Sequence, residues 1–209
     1  MPTPAKTSDA RVVAAARGLV EQRGAAAISM QDVAAAVSVR APSLYKRFPT
    51  RAALLAAVAV EVLAKLRGTL VEAADYAGRD GWDRLWAIAA AYRRFAHAHP
   101  HAYALLFAPD APRGQEASAA RADAAEPLLA ELRGMLAEAD VLPATRVVTA
   151  FLHGFVAMEL AGAFRLGGDP EVAFARGLDA VLPRRVAHPR PSAAEPVPLR
   201  QTDDAVEKP

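Results

Sequence analysis

The sequence predicts an all-α protein, a small three-helix head followed by a larger helical body. Three observations lead there. Alanine, the strongest helix former, supplies 52 of the 209 residues and nearly half of the 53% apolar fraction. Apolar side chains recur at helical spacing in segment after segment. Sixteen prolines and twelve glycines punctuate those segments instead of interrupting them at random.

The elements follow in order. Residues 8–23 form a first helix: Val12, Ala16, Leu19 and Val20 share a face and Gly24 stands where a helix stops. Ser29 is placed as an N-cap, with Asp32 three residues later near the positive end of a short second helix. Val33, Ala34 and Val37 give that helix one apolar face, and a turn follows at Val37-Ser38-Val39. A third helix is expected from about Ala41 to Arg47, with Pro42 in its first turn, where a missing N–H costs nothing. Phe48-Pro49-Thr50 breaks the chain, and Thr50 caps a long fourth helix reaching about Ala74. Five further helices are expected at 81–98, 101–108, 116–139 with a break or kink near Pro127, 143–166, and 170–182. The last 27 residues hold six prolines and almost no large apolar side chains, a composition that predicts disorder. Domain boundaries are therefore expected at 1–50, 51–182 and 183–209.

Composition excludes several functions. With no cysteine, disulfides, zinc–thiolate sites, thiol nucleophiles and iron–sulfur ligation are impossible. The N-terminus carries Lys6 and Asp9 without an apolar core, unlike a signal peptide, and the longest apolar run, Ala52 to Val60, is too short to cross a bilayer. A cytoplasmic protein is expected. No Ser-His-Asp order, glycine-rich phosphate loop or His-Glu-x-x-His helix is present, so no catalytic residue and no cofactor is expected. His97, His99 and His101 alternate, but residues two apart on a helix do not share a face, so no metal site is expected either.

Charge is uneven. Residues 1–55 carry eight basic and three acidic side chains, +5, which leaves −3 for the remaining 154 residues of a chain whose net charge is +2. A basic terminal module suits a nucleic-acid partner. Two short helices joined by a tight turn inside it suit a helix-turn-helix. Ala34 must be small where the helices cross, and Val33, Val37, Val39 and Leu44 make the little core between them. The recognition helix opens at Ala41, Pro42 and Ser43, and its outer side offers Arg40, Ser43, Tyr45, Lys46 and Arg47. Arg40 matches the O6 and N7 acceptors of guanine in the major groove. Tyr45, Lys46, Ser29, Gln31, Thr50 and Arg51 suit phosphates, and Ser29 and Thr50 also bring helix N-terminal N–H groups to the backbone.

The run from Ile28 to Arg51 resembles the DNA-binding signature of TetR-type regulators, through Ser29, Val33-Ala34, Val39, Pro42, Leu44-Tyr45, Phe48, Arg51 and Leu54. Two positions depart from it. Ser38 stands where the family has glycine, so a positive φ there would be mildly strained. Arg40 stands where Ser or Thr is common. More weakly, Phe151-Leu152-His153-Gly154-Phe155, Glu159-Leu160-Ala161-Gly162 and the stretch His97 to Phe107 resemble the ligand-binding domain of a TetR subgroup named for a Trp-His-Gly signature, with Phe151 in the aromatic slot. The resemblance implies a homodimeric DNA-binding transcription regulator, a repressor released by a small hydrophobic or amphipathic effector.

The body's own residues bear on the last two points. In the helix expected at 143–166, Val148, Phe151, Phe155 and Met158 lie on one face and Leu152, Val156, Leu160 and Ala163 on another. Apolar residues on two faces call for a second covering surface, and a second copy of the chain supplies it most simply. Gly154, Gly162 and Gly177 would allow close backbone approach. Two heads about 34–36 Å apart would then read a near-palindromic operator. An effector pocket is expected among Trp86, Phe95, Tyr103, Phe107, Phe151 and Phe155, with His153 and Glu159 as polar groups. The same aromatics would equally serve as core. Two alternatives stay open: a helical ligand carrier or enzyme with an incidental basic head, and a nonspecific architectural DNA protein.

Overall fold

The computed structural model describes residues 8–108, 111 and 114–182. The tail expected to be disordered lies outside the described residues, as do Lys6 and Asp110. Nine α-helices and no strand occur among the described residues: α1 (Asp9–Arg23), α2 (Met30–Ala36), α3 (Ala41–Tyr45), α4 (Arg51–Tyr76), α5 (Gly81–Ala98), α6 (Pro100–Phe107), α7 (Gln115–Arg133), α8 (Glu138–Leu160) and α9 (Pro170–Val181). The run Ala25–Ala27 forms one 3-10 turn between α1 and α2.

Local chemistry sets the head. Ser8 Oγ accepts from the Arg11 N–H at 3.2 Å, and α1 ends where Gly24, at φ 78°, donates to Val20 O. Ser29 and Asp32 form a reciprocal capping box: Ser29 Oγ accepts from the Asp32 N–H at 3.2 Å, and Asp32 Oδ2 accepts from the Ser29 N–H at 2.7 Å. Those bonds from Ser29 hold the Asp32 carboxyl below its usual range. α2 then stops in a Schellman motif. The Val39 N–H bonds Ala34 O and the Ser38 N–H bonds Ala35 O, which forces Ser38 to φ 57°. Val33, Ala34, Val37 and Leu44 are buried together, as the sequence predicts. α3 is shorter than predicted, because the Arg47 and Phe48 N–H groups both turn back on Leu44 O.

α4 is the frame of the molecule. Thr50 Oγ1 caps it through the Ala53 N–H at 3.0 Å, and its 26 residues span about 39 Å. Leu54, Val58, Val62, Leu66 and Leu70 form its buried stripe, and α1, α5, α6 and α7 all pack against it. At its far end Arg84 pins the α4–α5 connection to α7. It bonds Glu131 Oε1 at 2.7 Å and the Ala74 and Gly78 carbonyls at 3.0 and 3.1 Å.

Three body boundaries differ from the sequence prediction. α7 runs unbroken through Pro127, which is buried on the core side of the helix, and stops at Gly134 instead of 139. Packing along α4 offsets the one hydrogen bond that proline removes. α8 begins at Glu138, so Pro143 lies inside it as its sixth residue, just past the first-turn N–H groups that have no intrahelical partner, and costs the helix one bond. It ends at Leu160 instead of 166. The Ala163 N–H bonds Met158 O, the Gly162 N–H bonds Glu159 O, and Gly162 sits at φ 61°, a second Schellman motif. Gly162 is therefore a helix stop, not a point of close helix approach.

α8 also passes a length and composition test for a membrane span, with mean hydropathy 1.5 over its best 18 residues. An uninterrupted apolar run does not reveal this, because Thr145, Arg146, Thr149 and His153 divide the helix. Here its stripe Val141, Thr145, Val148, Leu152 and Val156 is buried in the body. Phe151 and Phe155 turn from that stripe toward α9, so the two apolar faces are composed differently from the prediction. The outward face carries Val147, Ala150, Gly154 and Met158.

Candidate functional site

The head presents a polar, basic surface built by α2, α3 and the start of α4. Arg40 is the N-cap residue of α3, extended and exposed. Pro42, Ser43, Tyr45 and Lys46 are exposed beside it, as are Ser29, Gln31 and Thr50 on the flanking helix starts. Tyr45 is 49% exposed, unusual for a ring that has a core one residue away at Leu44. Ala41 is half-buried and packs on the core.

Two predicted contact residues are occupied within the protein. Arg47 Nη1 bonds Asp9 Oδ1 at 2.9 Å, tying the end of α3 to the start of α1. Arg51 donates from Nε to Ile28 O at 2.8 Å and from Nη2 to Ala25 O. It clasps the 3-10 turn and the approach to α2 onto the base of α4. A guanidinium held by two carbonyls is committed within the fold, which leaves Lys46, Tyr45 and Gln31 as exposed polar side chains beside the two caps.

Three side-chain contacts tie α1 and its end to the body. Arg17 bonds Glu61 at 2.8 Å, from α1 to α4. His99, at the α5–α6 joint, meets Glu21 of α1 at 2.9 Å. His101 on α6 stands beside Gly24, where a Cβ would come within 3.8 Å of its Nδ1. His97 turns elsewhere, to Glu159 at 2.9 Å. The three alternating histidines thus have three separate surroundings.

Seven of the eight residues expected around a pocket divide into two groups, and Phe95 lies apart from both. Trp86, Phe151 and Phe155 gather with Phe174 between α5, α8 and α9, with ring centroids 5.2–6.5 Å apart. Arg93 lies over the Phe174 ring at 4.6 Å and bonds Glu159 at 2.7 Å and Glu171 at 2.5 Å. Burial pushes the Glu159 carboxyl up, but the hydrogen bonds from Arg93 and His97 outweigh it and hold the group below its usual range. Glu159 is thus committed to a structural ion network. Phe95 is buried and tilts onto His99.

The second group is a row of polar aromatics. The Tyr92 and Tyr103 hydroxyls are 2.9 Å apart, and the Tyr103 hydroxyl is 2.7 Å from His153 Nδ1. The His153 ring stacks on Phe107 at 3.9 Å. Burial lowers the His153 pKa and pushes Tyr103 up to about 12, so the row is neutral near pH 7.

Two members of this row, Tyr92 and Phe107, line a cavity of about 170 Å³ between α4, α5, α6, α7 and α8. Leu63, Leu66 and Leu70 of α4 and Leu128 of α7 supply its aliphatic walls. Tyr92, Phe107, Arg121 and Thr149 complete the part that bears on chemistry. Of the predicted pocket set only Phe107 lines it. The leucines of α4 have a visible signal, their spacing of three and four residues. That spacing marks a core face and does not distinguish a filled core from a hollow one.

Comparison with known proteins adds the context. The sequence profile described as bacterial regulatory proteins, tetR family, matches residues 12–58, and one described as tetracyclin repressor-like, C-terminal domain, matches 85–181. A curated HTH-type transcriptional regulator of Mycobacterium tuberculosis is 32% identical over 162 residues, covering 76% of this chain and 73% of that one. Among solved structures, a protein from Rhodococcus sp. RHA1 superposes with a TM-score of 0.70 at 24% identity, over 87% of this chain and 97% of that one. A possible TetR family regulator from Streptomyces coelicolor A3(2) gives 0.59 at 25% identity, over 83% and 88%. A TetR variant from Acinetobacter baumannii AYE, in complex with minocycline, gives 0.61 at 22%, over 84% and 94%.

Proposed function

Because the chain belongs to the TetR family of transcription regulators, we propose that it is a homodimeric repressor whose head reads an operator and whose body binds the effector that releases it. The head comprises residues 1–50 together with the first turns of α4, and the body the rest of 51–182. The observation that carries the reading is the exposed edge of α3. Arg40, Ser43, Tyr45 and Lys46 point outward from a helix whose only buried side chain is Leu44. Arg40 reads a base edge, and Lys46, Tyr45 and Gln31 hold phosphates.

A single five-residue recognition helix contacts few bases, so the reading requires two. The outward faces of α8 and α9 suit a two-fold contact. Val147, Met158 and Val172 are about half exposed, and Ala150 and Gly154 between them let backbones approach. The effector enters the central cavity and shifts α6, which touches both the cavity and α1. Operator and effector then weaken each other by the same factor. The protein acts in the cytoplasm on the nucleoid.

Selection of bound DNA from a random pool tests this. A near-palindrome with half-sites about one helical turn apart is the expected result. Recovery of no preferred sequence would leave a nonspecific architectural protein, and recovery of no DNA at low salt would leave a carrier with an incidental head.

A further inference from the structure

The chemistry of the effector can be read from the cavity. A void of about 150 Å³ lined by aliphatic and aromatic side chains admits one benzene-sized molecule. At about 170 Å³ this cavity takes one ring or an equally compact chain. Its walls are mostly hydrocarbon, and among its lining residues only Tyr92, Arg121 and Thr149 bear polar groups beyond the backbone.

Tyr92 stands apart because its hydroxyl begins the row that continues through the buried Tyr103 to the half-buried His153. Burying polar groups in series is costly unless each is paired. Phenylalanine at 92 and 103 would fill nearly the same space without that cost, so the row is not required by packing. A tyrosine hydroxyl has one proton and two lone pairs, so Tyr92 keeps hydrogen-bonding capacity after its bond to Tyr103. The row can run in two directions. Tyr92 donates to Tyr103 and Tyr103 to His153 Nδ1, or His153 donates to Tyr103 and Tyr103 to Tyr92. In the first the Tyr92 oxygen offers lone pairs, and in the second it offers its proton. A hydroxyl on the ligand both donates and accepts, so it completes the row in either direction. A carbonyl or ether fits only one.

Resting on the reading of the body as an effector domain, we propose that the effector is a compact, uncharged hydrocarbon of about one ring carrying a single hydroxyl, which bonds Tyr92 and extends the Tyr92–Tyr103–His153 row. Tyr92 is the contact residue. Tyr103 is a positioning residue, since it does not line the cavity.

The test titrates phenol, toluene and benzoate into the full-length protein by calorimetry and ligand-observed NMR. Wild type, Tyr92→Phe and Tyr103→Phe are compared. Phenol should bind wild type about tenfold more tightly than toluene, since a site that pairs a hydroxyl rejects the analogue lacking one. Benzoate should bind least. Tyr92→Phe should bring phenol down to the affinity of toluene. Tyr103→Phe should weaken phenol about fivefold, the worth of one hydrogen bond, although it touches no ligand. Toluene affinity should stay constant in all three proteins, which also verifies that the variants fold. Phenol binding no better than toluene, phenol unaffected by both variants, or no probe binding at all overturns the proposal. Tightest binding by benzoate also overturns it and moves recognition to Arg121. DNA selection is scored separately. Phenol binding without operator preference would sink the regulatory reading alone, and operator preference without phenol binding would sink only the ligand class.

Discussion

The Phe151 ring lies against the backbone of Gly177, so close that a Cβ built on that glycine would fall 2.4 Å from Cε2 and 2.5 Å from Cζ. α9 is thereby seated on α8 at a position where no side chain fits. Alanine in a helix interior is ordinarily better than glycine by about 1 kcal/mol. Here overpacking of about 1–3 kcal/mol opposes that gain. The ring is wedged among Phe155 and Phe174, which limits its escape. Gly177→Ala should therefore lower stability in urea unfolding by about 1 kcal/mol. In a Phe151→Ala background the same change should become stabilising. If Gly177→Ala stabilises the otherwise unaltered protein, the ring moves freely and the seat is not specific.

The two Schellman motifs make a matched pair. Gly162 holds the left-handed position after α8, and Ser38 holds it after α2. A side chain there costs about 1–2 kcal/mol. Ser38→Gly should raise the unfolding midpoint by an amount equivalent to about 1 kcal/mol, and Gly162→Ala should lower it by a similar amount. No gain from Ser38→Gly would mean that the serine is compensated locally.

The basic side chains of the head should separate in a DNA-binding assay. Arg40→Ala should relax base preference at one operator position while nonspecific affinity holds. Lys46→Ala should weaken all sequences about equally and reduce the salt slope by about 1. Arg51→Ala should act through folding, with a loss of about 1–3 kcal/mol as the Ile28 and Ala25 carbonyls lose their donor. An unaltered melting curve for Arg51→Ala, together with lost affinity, would return Arg51 to the DNA.

Acid should reach the body before the head. Burial holds the His153 pKa below its ordinary 6.5, so the unfolded chain binds a proton that the folded one refuses. Its contribution is complete above pH 6.5 and declines as pH falls toward the lowered value. The Asp32 carboxyl is held below its ordinary 3.8, so its contribution is present above that pH and is lost only as pH falls further. Urea midpoints measured from pH 8 to 5 should fall for wild type and fall less for His153→Gln. Parallel curves would remove His153 as the cause.

The head is legible in the sequence because short-range chemistry determines it. Ser29, Pro42 and Thr50 each act within three residues of their own position, and the turn strain at Ser38 follows from its side chain alone. The body is less legible. Pro127 and Pro143 read as breaks, and only packing against α4 or placement near a helix start makes them interior residues. Glu159 and His153 look alike as polar groups on an apolar helix. One is held by Arg93, 66 residues away, and the other by Tyr103, 50 residues away. Pairings at such separation leave no trace in spacing. The cavity is an absence of atoms, and no residue type announces it.

α6 is eight residues long, with His101 beside Gly24 at one end and Leu106 and Phe107 in the cavity wall at the other. The two ends are about 9 Å apart. A rigid rod of that length has no room to absorb a displacement, so whatever pushes on one tip arrives at the other almost undiminished. On the proposed reading, the distance between effector and head is therefore that of a few carbon–carbon bonds, and no melting, refolding or long-range wire has to be invoked to cross it.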